Sequence, residues 1–202
     1  MSESGAIGVT DYELAALICG NDTASGRRVA EAVGIAELID DPTAQRAGLT
    51  SLLVRDLAGL DEGLIVAEGA ATAIGTIVST ADDILRLVLR HDDTPVGRTI
   101  LVDAAQGCFL LDMTAYGVHA AQPLRLDTDL LALVRDIIAN VASDHADELP
   151  FDVTVSRFPV GGEVREAFLV VTGDIEPDVW SGVQAALGKS DAEAGSLARR
   201  GL

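Results

Sequence analysis

Asp83-Ile84-Leu85-Arg86-Leu87-Val88-Leu89-Arg90 is the stretch that decides the fold. Leu85, Leu87 and Leu89 alternate with Ile84, Arg86, Val88 and Arg90. Successive side chains of a strand point to opposite faces, so this spacing suits a strand with its leucine face in a core. Three more short strands are expected downstream, over Thr99–Asp103, Cys108–Met113 and Gly117–Gln122. Turn-forming residues separate them: Asp92-Asp93-Thr94-Pro95, Gln106-Gly107 and Tyr116-Gly117. Links this short exclude parallel crossovers and predict an antiparallel meander.

Upstream of Asp83 the pattern is helical. Thr10 and Glu13 have capping-box spacing, and Leu14, Leu17 and Ile18 follow on one face, which predicts a helix over Asp11–Cys19. Gly20 to Gly26 reads as a loop, followed by a short helix over Arg27–Val33. Asp41-Pro42-Thr43 opens a further helix with Leu49, Leu52, Leu53 and Leu57 on its apolar side. Ala67 to Ser79 is Ala-rich and predicts one more.

Downstream of the meander, Asp127 or Thr128 is expected to cap the longest helix, through about Ser143, with Leu130, Leu131, Val134, Ile137, Ile138 and Val141 as its buried stripe. Period two returns at Phe151, Val153 and Val155. Gly161-Gly162 reads as a two-residue type I′ turn, with Val164–Thr172 as the return strand. Pro177 starts a last helix carrying Trp180, Val183 and Leu187, and a flexible polar tail follows over residues 189–202. The expectation is one α+β domain over residues 1–202: helical over 10–80, meander over 83–122, then helix, hairpin and helix over 127–187. Its antiparallel sheet, built from meander and hairpin, packs against several helices.

Composition narrows the function classes. Among 202 residues, 32 Asp and Glu stand against 14 Lys and Arg, a formal charge of −18, while 49% of residues are hydrophobic. That much apolar content argues for a folded core, and the charge turns the phosphate attraction of nucleic acid into repulsion. Ala47-Gly48-Leu49-Thr50-Ser51-Leu52-Leu53-Val54-Arg55-Asp56-Leu57 resembles a helix-turn segment of winged-helix proteins. A DNA reader needs basic side chains there, and from Leu49 to Ile77 Arg55 is the only one, against Asp56, Asp61, Glu62 and Glu68. Cys19 and Cys108 have no metal-ligand spacing and read as small buried hydrophobes. The start lacks a signal-peptide pattern, and Leu64–Val78 is too short and too interrupted to span a bilayer. A cytoplasmic protein binding neither nucleic acid nor membrane is expected.

Catalytic chemistry has little to draw on. No phosphate-binding loop, nucleophile elbow, dinucleotide fingerprint or paired-cysteine metal site occurs. His91 beside Asp92 and Asp93 could orient an imidazole as a base, and His145 with Asp144 and Glu148 offers two ligands at helical spacing. A loop histidine beside acids and a cation at a helix end are each ordinary in an acidic chain. No catalytic, cofactor-binding or metal residue is therefore assigned, and no cofactor is expected.

The segment from about Gly48 to Ile138 carries a further pattern. A Leu-rich helix ends in Leu53-Val54-Arg55-Asp56-Leu57-Ala58, a Gly63-Leu64-Ile65-Val66 bridge follows, and then an Ala-rich helix. Ser79-Thr80-Ala81-Asp82-Asp83-Ile84-Leu85-Arg86-Leu87-Val88-Leu89, a strand pair over residues 99–113 and a long Leu-rich helix complete it. This order resembles the EspG family of actinobacterial type VII secretion chaperones. The resemblance implies a cytosolic α+β protein that binds partner helices and catalyses nothing. The favoured expectation is a protein-binding module, chaperone-like, with a helical or basic partner or a second copy of itself. The loop after Met113, around Tyr116, is a candidate contact. The alternative is a small-molecule-binding protein or an enzyme using a His/carboxylate pair.

Overall fold

The Thr10 hydroxyl accepts from Glu13 N at 3.1 Å, and the Glu13 carboxylate accepts from Thr10 N at 2.9 Å. This reciprocal cap starts helix α1 (Asp11–Cys19), directly after a strand the sequence pattern does not announce, β1 (Ile7–Thr10). The computed structural model describes residues 5–188; the polar tail from residue 189 lies outside the described residues. Helix α2 runs Ala24–Val33, three residues earlier than expected, because Thr23 accepts from Gly26 N and ends the Gly20–Gly26 loop short. Next come a single turn, α3 (Ala36–Ile39), and α4 (Pro42–Val54), which is capped by Asp41 through Thr43 N.

The stretch expected to lead straight into the Ala-rich helix instead forms a hairpin, β2 (Ala58–Asp61) and β3 (Leu64–Ala67). Glu62 and Gly63 form its turn, both at positive φ, the conformation that two-residue hairpin loops need. The helical reading is thus confined to α5 (Gly69–Ser79).

Strands β4 (Asp83–His91), β5 (Thr94–Ala104), β6 (Gly107–Asp112) and β7 (Val118–Leu124) form the expected antiparallel meander. β5 begins five residues before Thr99, since Asp92 and Asp93 both take positive φ and close a two-residue turn between His91 and Thr94. Helix α6 (Leu130–Asp144) is capped by Asp129, rather than Asp127 or Thr128, with the carboxylate accepting from Leu131 N and Ala132 N. Strands β8 (Phe151–Arg157) and β9 (Arg165–Val171) pair as predicted, but no tight turn joins them. Phe158 is buried, so the chain dives into the core before it turns, and only Gly161 of the glycine pair has positive φ. Helix α7 (Pro177–Ala186) has the expected proline start.

The fold is α+β, and one seven-stranded antiparallel sheet gathers strands from both ends of the chain, in the order β1-β7-β6-β5-β4-β8-β9. Helices α1 to α5 bury one face of it against Ile84, Ile100, Val102, Phe109, Leu111 and Ala121. Helices α6 and α7 bury the other against Leu85, Leu87, Leu89, Leu101, Val153 and Val155. β4 therefore has both faces covered at its Ile84 end, where a single buried face was expected. Each fully buried leucine contributes about 1.5–3 kcal/mol, more than an exposed ion pair, so the leucine face sets the register of β4. The helical layer on the Ile84 face stops short. Arg86, Val88 and Arg90 continue that face without a helix over them, leaving a recess.

Candidate functional site: an apolar hairpin and an arginine-lined recess

The β2–β3 hairpin stands at the end of α4 and exposes apolar side chains on both of its faces. Leu60 pairs with Ile65, and Leu64 and Val66 point the other way. Leu60 is 72% exposed and Leu64 69%; Val54, at the end of α4, is 78% exposed. Four exposed carboxylates, on Asp56, Asp61, Glu62 and Glu68, surround these side chains. The nearby base, Arg55, is turned away from this surface: its guanidinium holds Glu13 at 2.7 Å and Gly8 O at 2.8 Å. The likeness to winged-helix proteins concerned a helix-turn segment alone; here a hairpin follows the helix, and its exposed charges are acidic.

The recess lies on the seven-stranded sheet. It measures about 450 Å³ and is lined by Arg86, Val88, Arg90, Pro95, Arg98, Thr154, Glu166 and Phe168. The sheet register explains this gathering. Arg86 and Arg90 share a face of β4, and Arg98 of β5 sits directly opposite Val88 on the same face. Ser156 of β8 lies opposite Arg86, and Glu166 and Phe168 of β9 continue the row. The Arg86 guanidinium carbon stands 4.8 Å from the centre of the Phe158 ring, a cation–π contact, and its Nη2 is 3.4 Å from both Ser156 Oγ and Glu166 Oε1. Arg98 Nη2 donates to Val33 O at the C-terminal end of α2. Burial, joined by the Arg86 charge, pulls the Arg98 guanidinium below its ordinary value, while Asp11 opposes the shift. The Nε atoms of Arg86 and Arg98 are buried and have no hydrogen-bond acceptor. Sequence reading had passed over these three arginines; the alternation Arg86-x-Val88-x-Arg90 was the signal that could have found two of them.

The histidines divide differently from expectation. His91 Nε2 is 3.5 Å from Asp92 and its Nδ1 3.4 Å from Pro150 O. His145 Nδ1 is 3.4 Å from Glu148. Both rings stand edge-on to Phe151, at 6.0 and 6.4 Å between ring centres, so two separately read candidates flank one aromatic side chain. No group of three His, Cys, Asp or Glu side chains able to hold a metal ion occurs among the described residues. The tightest His/carboxylate contact belongs instead to His119, buried on β7, whose Nε2 is 2.7 Å from Asp11. Its Nδ1 accepts from Thr114 N at 3.3 Å, so Nε2 carries the proton and donates to Asp11. With both ring nitrogens engaged by the protein, this imidazole fastens β7 to α1 and has no lone pair left for a substrate. Tyr116 is 92% exposed in the turn after Met113. Cys19 and Cys108 are both free thiols, Cys108 buried and Cys19 partly so.

No helix among the described residues is long and apolar enough to cross a membrane. Comparison with known protein families and with curated proteins finds no match to the chain.

Proposed function

We propose that this chain is a non-catalytic cytoplasmic protein-binding module whose contact surface is the β2–β3 hairpin together with Val54. The observation that carries the reading is the set of exposed apolar side chains, Val54, Leu60, Leu64, Ile65 and Val66. A two-stranded hairpin gains little stability alone, and side chains presented outward on both of its faces add nothing to the core. The four surrounding carboxylates suit a partner whose apolar side chains are flanked by basic ones, since complementary charge speeds encounter and rejects wrong partners. The same acidic rim opposes nucleic acid. A secretion-chaperone-like adaptor is the form of this function that the EspG-like pattern suggests.

Self-association is measured first, by light scattering of the purified protein. Pull-downs from source cytosol then compare the wild type with Leu60→Ser/Leu64→Ser, at low and high salt. A stoichiometric protein that the wild type recovers, that the variant loses and that salt weakens supports the reading. Recovery of the same protein by both, or of no stoichiometric protein, overturns it.

A further inference from the structure

We infer that the recess beside β4 binds a small organic oxyanion: a carboxylate or phosphate group carried on an apolar or aromatic body. Three observations meet there. The first is charge. In a chain of net −18, Arg27, Arg28, Arg55, Arg125 and Arg157 are each held by a carboxylate within 3.5 Å, the ordinary fate of an arginine in this protein. The recess instead gathers Arg86, Arg90 and Arg98, and the carboxylate lining it is Glu166. Glu166 reaches Arg86 at 3.4 Å and is itself occupied by Ser156 Oγ at 2.8 Å. Asp152 faces Arg90 across the β4–β8 pair without closing to an ion pair.

The second observation is unmet hydrogen bonding. Arg86 and Arg98 each keep a buried Nε–H with no acceptor, and a buried donor left unpaired is costly. Guanidinium groups match carboxylate and phosphate oxygens through paired N–H donors, which makes the arginines lining the recess a fit for an oxyanion. The third is shape. A recess of about 450 Å³ lies within the range of small-molecule sites, and its apolar lining comes from Val88, Pro95 and Phe168. Phe168 is 72% exposed and projects from the sheet beside the arginines, where it offers a ring on which an apolar body can lie. Compact size and convergent charge favour a small ligand over a polymer, which calls for a continuous basic stripe.

The test is isothermal titration of the full chain with phenyl phosphate, phenylacetate and, as the neutral analogue, benzyl alcohol. Arg90→Gln, Arg98→Gln and Phe168→Ala are titrated alongside. Binding of either anion, weakened about tenfold or more by Arg90→Gln, and by Arg98→Gln where that variant folds, with benzyl alcohol silent, supports the inference. The tighter of the two anions then identifies the source as a phosphate or a carboxylate. Arg90 is exposed and its replacement keeps the fold, so the experiment stands even where Arg98→Gln fails to fold. Absence of binding by both anions at millimolar concentration overturns the inference. So does binding that is unchanged in Arg90→Gln, or matched by benzyl alcohol. The Leu60→Ser/Leu64→Ser variant retains anion binding, which separates this outcome from that of the hairpin.

Discussion

Arg55 and Glu13 are 42 residues apart in the chain, and Arg55 Nη1 lies 2.7 Å from Glu13 Oε2. The contact is the hub of the first helical layer. Glu13 is fully buried at the start of α1, where it also accepts from Thr10 N and from Ser51 Oγ at 2.6 Å. Arg55 caps the C-terminal end of α4, three residues before β2, and its second Nη reaches Gly8 O on β1. One buried carboxylate thereby fixes where the hairpin leaves the body of the protein.

Removing the arginine from this pair strands a buried charge. Arg55→Met is expected to cost ~3 kcal/mol, the low end for a broken buried pair, because Arg55 is partly exposed and water can take its place. Urea denaturation measures it, and a cost under ~1 kcal/mol contradicts the assignment.

Acid should act through the same carboxylate. Burial alone raises the Glu13 carboxyl, but hydrogen bonds from Ser51, Thr10 N–H and Arg55, with the Arg55 charge, outweigh it and hold the group below the usual glutamate range. A folded value below the unfolded one means stability that is complete above the unfolded value and lost as pH falls through the folded one. The wild type should therefore lose more stability on acidification than Glu13→Gln. Parallel acid dependence in the two proteins contradicts this.

Gly48 is where α4 crosses α1. A β-carbon there would stand 2.0 Å from Tyr12 O and 2.8 Å from the Ala16 β-carbon. The first of these is backbone and cannot rotate away, so Gly48→Ala should force the helices apart at a cost of ~3 kcal/mol or more. Thermal unfolding at the wild-type midpoint is not expected.

Burial pushes the Cys108 thiol up to about 12, and the Asp103 charge adds to the shift. Its thiolate is then negligible at neutral pH. Native protein treated with a disulfide reagent should leave Cys108 unmodified by mass spectrometry, and denatured protein should react at both cysteines. Native labelling of Cys108 at the denatured rate contradicts this.

The hairpin side chains make the opposite kind of prediction. Leu60 and Leu64 are mostly exposed, so Leu60→Ser/Leu64→Ser should stay within roughly 0.5–1 kcal/mol of wild-type stability while losing the partner. A large loss of stability places these leucines in the fold rather than in recognition.

Local rules were legible in the sequence wherever local geometry decides the outcome. The Thr10/Glu13 cap, the proline starts at Pro42 and Pro177, and the alternation over Asp83–Arg90 all depend on side chains a few positions apart. The β2–β3 hairpin was missed because Leu64-Ile65-Val66 is apolar without alternation, and a short apolar run does not tell strand from helix. Strand β1 was missed because four residues carry too little pattern; its pairing with β7, from Ile7↔Ala121 to Thr10↔Val118, makes it a strand. Gly161-Gly162 suggested a tight turn, but burial of Phe158 drew the chain off the sheet first.

Charge and apolar period, read along the chain, determined that this is an acidic α+β protein with an antiparallel sheet, because both are properties of residues and their near neighbours. Which faces of that sheet stay open is a property of the packing. The sequence places Arg86 and Arg90 on one face, but only the antiparallel pairing brings Arg98, Glu166 and Phe168 beside them. Only the extent of the α1–α5 layer leaves that group uncovered while it buries Ile84 on the same face. Long-range pairing depends on which surfaces find each other, and no local spacing encodes that.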